Sequence, residues 1–175
     1  MTNILYPFFN IFVMEEDFMD YKAVIKEIPA YTMYCKQDII DDFGRISDFI
    51  LDSAEECRGA HPNMKCVESD YCYVSYLDEE FKEKDILVEY AQAVTKAGIE
   101  TDNIKFKTIE STKAVCVSHK GSYDGLSTAY EFVFKWVYEK GHVVSGPPRE
   151  CYIYGCWNRE KEADWLTEIQ IPIRS

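Results

Sequence analysis

Two stretches of the chain carry apolar residues at helical spacing. Ile39, Phe43, Ile46, Ile50, Ala54 and Cys57 recur at steps of three and four, as do Tyr123, Leu126, Tyr130, Val133 or Phe134, and Val137. Each set predicts an amphipathic helix. Gly59 and Gly141 are read as their C-terminal stops, and Ser122 as the N-cap of the second. β-branched and aromatic runs surround the helices: one before each, and two after each at 71–77, 86–94, 150–156 and 166–173. Six core strands and two helices are expected.

The two halves also resemble each other. Lys26, Ile28 and Cys35 meet Lys107, Ile109 and Cys116 at an offset of 81 residues. At an offset of 79, Cys72, Tyr73, Lys82, Glu83, Asp85, Leu87 and Glu89 are identical to Cys151, Tyr152, Lys161, Glu162, Asp164, Leu166 and Glu168. The expectation is an α+β fold: a tandem duplication of a β-α-β-β unit, with repeats at about 21–96 and 103–175. Its antiparallel sheet would carry both helices on one face and a ligand cleft between the repeats. Residues 1–20, acidic and apolar, are read as a leader or an extra strand; 21–175 form one domain.

Composition narrows the function classes. Aromatic residues make up 15% of the 175 residues, enough for a folded core. A formal charge of -12 with no basic stretch argues against direct nucleic-acid binding and favours a cationic or neutral ligand. Seven cysteines without a C-x-x-C pair are read as free thiols in a cytoplasmic protein. The apolar start, 4–14, is too short to span a bilayer and has no basic segment before it. His61, His119 and His142 are scattered, so neither a metal nor another cofactor is expected.

Strand alternation selects candidate site residues. In the last strand Ile169, Ile171 and Ile173 share one face, to be packed on the helices, leaving Glu168 and Gln170 on the other, towards the cleft. The preceding strand puts Glu150, Tyr152 and Tyr154 on one face. The repeat makes Tyr73 and Glu89 the counterparts of Tyr152 and Glu168, and Trp136 is read as a stacking wall or as core. A carboxylate among aromatic rings suits an aromatic cation.

The segments His119-Lys120-Gly121-Ser122-Tyr123, Gly146-Pro147-Pro148 and Glu168-Ile169-Gln170-Ile171-Pro172-Ile173, in that order, resemble the GyrI-like small-molecule-binding domains. Lys26-Glu27-Ile28-Pro29-Ala30 in the first half fits as well. The resemblance implies a free-standing effector-binding protein that sequesters or senses amphipathic aromatic or cationic compounds. It also implies two alternatives. One is a hydrolase of strained cyclopropane-containing genotoxins, in which Glu168 would activate water and a tyrosine hydroxyl, from Tyr152 or Tyr154, would polarise the electrophile. The other is an inhibitory partner of a DNA-processing enzyme such as gyrase.

Overall fold

The computed structural model describes residues 21–60, 64–78 and 80–174. The segment 1–20, read above as a leader or extra strand, and His61 lie outside the described residues. The chain runs β1 (Ala23–Ile28), β2 (Tyr31–Ile40), α1 (Ile46–Ala60), β3 (Cys72–Tyr76) and β4 (Ile86–Val94). It continues through β5 (Ile104–Ile109), β6 (Thr112–Lys120), α2 (Leu126–Glu139), β7 (Val143–Val144), β8 (Arg149–Tyr154) and β9 (Leu166–Arg174). Each half therefore has two strands before its helix where the sequence suggested one. In the first half Pro29, which has no N–H for a ladder, sits in the two-residue turn that divides 23–40 into two strands.

All the strands belong to one antiparallel sheet in the order β1-β6-β9-β8-β3-β4-β2-β5, with β7 attached to β9. Read outwards from its middle, the order is symmetric. β8, β9, β6 and β1 on one side answer β3, β4, β2 and β5 on the other, so the first strand of each half pairs in the other half's territory. At the centre, β3 and β8 share the single rung Val74↔Glu150. β1 and β2 lie six strand positions apart, about 29 Å in a flat sheet. Their two-residue linker reaches only about 11 Å. The sheet must therefore curl, and the face without helices becomes its inner side.

Small and apolar side chains fill that inner side: Met33, Cys35, Ala91, Ala93, Ala114 and Cys116 are buried, under Tyr31 and Tyr71. On the outer side α1 packs Ile46, Phe49, Ile50 and Cys57 against Tyr34, Val74, Val88 and Tyr90. α2 packs Leu126, Ala129, Val133 and Val137 on Val115, Val117, Ile169, Ile171 and Ile173. The isoleucines of the last strand thus meet a helix as alternation requires, each fully buried apolar side chain contributing about 1.5–3 kcal/mol.

The helix ends differ in detail from the sequence reading. Gly59 lies inside the last turn of α1. Gly141, at φ 70°, follows α2 and closes it, with the His142 amide donating to the Val137 carbonyl at 3.0 Å. Ser122 makes no side-chain cap; its carbonyl instead lies 2.8 Å from His119 Nε2, while Nδ1 of that ring meets the Tyr21 hydroxyl at 2.8 Å. Gly125 is needed here, since a Cβ would stand 2.5 Å from the imidazole.

Candidate functional site

Register, which alternation alone does not supply, decides which candidates meet. Glu150 pairs with Ile169, Cys151 with Glu168, and Tyr152 with Thr167. Glu150 and Tyr152 thus lie on the helix side with the isoleucines, while Glu168 lies on the inner side. The grouping of Glu168 with Glu150 is corrected: they face opposite sides of the sheet, and of the pair Glu150 and Tyr152 only Tyr152 shares a cavity with Glu168. Tyr154 departs too. A β-bulge between Tyr152 and Tyr154 sets Tyr154 opposite Leu166, and its ring carries the Arg159 guanidinium at 3.9 Å.

Glu168 and Glu89 do occupy equivalent places. Glu168 accepts from Lys26 Nζ at 2.5 Å and Gln170 Nε2 at 2.9 Å; Glu89 accepts from Lys107 Nζ at 2.5 Å and Gln37 Nε2 at 2.9 Å. Both carboxylates already have a cation. Tyr73 is not the counterpart of Tyr152, however. Tyr73 faces Ala91 and Arg149 faces Gln170, so in these strands the halves correspond at an offset of 76, which matches Tyr152 with Tyr76 and Glu150 with Val74. Between the equivalent rungs Tyr76↔Val88 and Tyr152↔Thr167 the second half has three more residues, bulge included, and an odd slip transfers a side chain to the other face. Tyr73 lies on the inner side, with the Arg149 guanidinium 5.0 Å above its ring.

Glu150, on the helix side of the sheet, is buried at 3% exposure. Tyr130 of α2 donates to its Oε1 at 2.6 Å, Tyr76 of β3 donates to Oε2 at 3.2 Å, and Tyr152 also donates to Oε2. The Tyr76 and Tyr152 hydroxyls lie 3.3 Å apart. Burial holds the Glu150 carboxyl above its ordinary value, more than the three phenols lower it. Burial, then the neighbouring carboxylate, pushes the Tyr76 and Tyr152 phenols well up, so both remain donors. Among the described residues no Lys or Arg forms an ion pair with Glu150.

Glu150 lies in the wall of a cavity of about 860 Å³ between the first turns of the two helices. Its aromatic walls are Phe43, Phe81, Tyr123, Phe134 and Trp165, with Tyr123 and Trp165 ring centroids 4.7 Å apart. Burial pushes the Tyr123 phenol up to about 12, more than the neighbouring Ser47 hydroxyl lowers it. Trp136, proposed as a wall, is not among these residues. It packs at the far end of α2, stacked on His142 at 5.7 Å, because it is ten residues past Leu126, where the helix begins.

The sequence reading missed Tyr76, Tyr130, Phe43 and Tyr123. The offset of 76 carries the signal for Tyr76. Tyr130, Tyr123 and Phe43 belong to the two helical stripes, whose spacing alone does not separate a cavity wall from core. Among the described residues no group of three or more His, Cys, Asp or Glu is placed to hold a metal, and no helix is long and apolar enough to cross a membrane.

The chain is similar to the EcmrR C-terminal domain, at 39% identity over 90% of this chain and 99% of that one, with a TM-score of 0.82. It is likewise 39% identical to EcmrR in an EcmrR-DNA complex, TM-score 0.83, covering 89% of this chain but 58% of that one. The chain therefore spans a little over half of that EcmrR chain. SAV2435 bound to tetraphenylphosphonium shares the fold, at 14% identity over 88% of this chain and 94% of that one, TM-score 0.55. No curated protein matches. Residues 24–174 match the GyrI-like small molecule binding domain, and the chain belongs to that family.

Proposed function

We propose that the chain binds amphipathic aromatic cations in the cleft between α1 and α2, with Glu150 as counter-charge, and so sequesters or senses them. One observation carries this reading: Glu150 is buried, held only by tyrosine hydroxyls, and has no ion-paired cation among the described residues. A desolvated carboxylate costs several kcal/mol, which an arriving cation would offset. The rings supply contact area and cation-π attraction. Around the cavity stand Asp78, Glu80, Glu83, Asp124 and Glu162 against Lys82, an excess that attracts cations and repels anions. The tetraphenylphosphonium bound to SAV2435 is a ligand of this kind.

The same features argue against a nucleic acid as the direct ligand, and seven free thiols fit a reducing, cytoplasmic location. A hydrolytic reading draws support from Glu150 as well: a carboxyl raised by burial beside a phenol suits proton transfer. In it Glu150 takes the role first assigned to Glu168. Calorimetric titration with tetraphenylphosphonium and with its neutral tetraphenylmethane-like isostere tests the binding reading. The cation should bind at least about tenfold more tightly; equal affinity would remove the carboxylate from recognition. Recovery of the ligand chemically unchanged supports binding over hydrolysis.

A further inference from the structure

We infer that the cleft has a second compartment, reached past Tyr152, which takes the uncharged hydrogen-bonding arm of an elongated ligand. The ligands held best would then be aromatic cations carrying a second ring on a linker, rather than compact ions. This deepens the cation-binding reading and rests on it.

The sheet is weakest at its centre. Beyond the rung Val74↔Glu150, β3 and β8 make no further paired rung, and a cavity of about 500 Å³ opens in that gap. Its lining comes from both sides of the sheet: Val74 and Tyr90 from the helix side, Tyr73 and Gln170 from the inner side. Among the described residues, Tyr152 alone lines both this cavity and the Glu150 cavity. Its hydroxyl donates to Glu150, and its side chain borders both spaces.

The chemistry of the second space differs from that of the first. Trp157 and Tyr152 form part of its wall, with ring centroids 6.4 Å apart. Trp157 is pressed so close to the chain that a Cβ at Gly155 would stand 2.5 Å from its indole. The polar groups are mostly amides and phenols. Tyr90 donates to Gln92 Oε1 at 2.9 Å and Tyr71 to Gln170 Oε1 at 2.8 Å, and both glutamines are buried. Each carboxamide oxygen keeps a second lone pair.

Charge is nearly balanced. Arg58 and Asp70 both line the space, and the Glu168 carboxylate there is already neutralised by Lys26. A charged arm would gain little, and a neutral donor such as a phenol or amide would gain a partner. From the Glu150 rung to Cys72, which lines the second space, is two residues along β3, or about 7 Å. The linker must cover that span.

Two probes test this: tetraphenylphosphonium, and a triphenylphosphonium bearing a terminal phenol on alkyl linkers of graded length. On the unmodified protein the phenol-armed ion should bind at least about tenfold more tightly, with an optimum where the linker spans about 7 Å. Two plugs, Ala54→Trp in the wall and Leu51→Trp at an exposed rim position, should abolish that advantage and leave the compact ion within about twofold. The second compartment is refuted if the arm adds no affinity at any length, or if its advantage survives a folded plug. If tetraphenylphosphonium itself does not bind, or binds Glu150→Gln equally well, the cation reading fails first.

Discussion

Replacing Glu150 with Gln removes one charge from the centre of the sheet while keeping the shape of the side chain. Three phenols now converge on that carboxylate; facing an amide nitrogen, a hydroxyl can rotate to accept instead of donate. Folding should suffer little, because the lost charge-assisted bonds are offset by relief from burying an anion without a cation. Binding should suffer much. A monocation about 5 Å from the carboxylate, at an effective dielectric near 20, is attracted by about 3 kcal/mol, or about 100-fold in affinity.

Two measurements read this out: calorimetric titration with tetraphenylphosphonium at fixed ionic strength, and urea unfolding of both proteins between pH 4 and 8. Burial raises the folded Glu150 pKa above its ordinary 4.5. Stability therefore falls as pH rises from about 4.5 through that raised value, and Glu150→Gln should lack this fall. Cation affinity runs the other way, growing over the same window as the carboxylate ionises. A Gln variant that binds the cation within about threefold of the parent would refute the electrostatic reasoning, as would one that loses neutral and cationic ligands alike.

Other perturbations separate the faces and turns. Glu168→Gln, on the inner side and already paired with Lys26, should change tetraphenylphosphonium affinity by less than about twofold and stability by about 0–1 kcal/mol. Gly125→Ala drives a methyl into the His119 ring, which should lower stability by about 1–3 kcal/mol in denaturant titration and lengthen the His119–Ser122 contact. Burial pushes the thiols of Cys35, Cys57 and Cys116 up to about 12, whereas Cys156 is exposed. Mass spectrometry after brief alkylation at pH 8 should find Cys156 modified first and those three protected until the chain unfolds.

Periodicity was enough to place the bodies of both helices and to turn Ile169, Ile171 and Ile173 towards α2, although Ile39 at the head of the first stripe lies in β2, and Phe43 and Tyr123 lie in 3-10 turns just before α1 and α2. Relations between elements were not legible in the same way. Glu150 and Glu168 each emerged as candidates, yet only the rung Cys151↔Glu168 reveals that they face opposite sides. The identities Cys72/Cys151 and Tyr73/Tyr152 drew the alignment three residues out of register, and that odd step exchanged Tyr76 for Tyr73 as a partner of the site. Nor does the sequence of Pro29-Ala30 reveal that the strands on either side of it lie near opposite edges of the sheet.

That arrangement has a consequence for any attempt to take the protein apart. A cut between Val94 and Ile104 would give one fragment with β1 to β4 and another with β5 to β9. Neither would own the strand that finishes its sheet: β2 would lose β5, and β6 would lose β1. Each fragment would present bare backbone along that edge, and the only sequence that fits it would be in the other tube. The halves are thus bound like two signatories who hold each other's copy, and mixing the fragments should restore a complex that neither forms by itself.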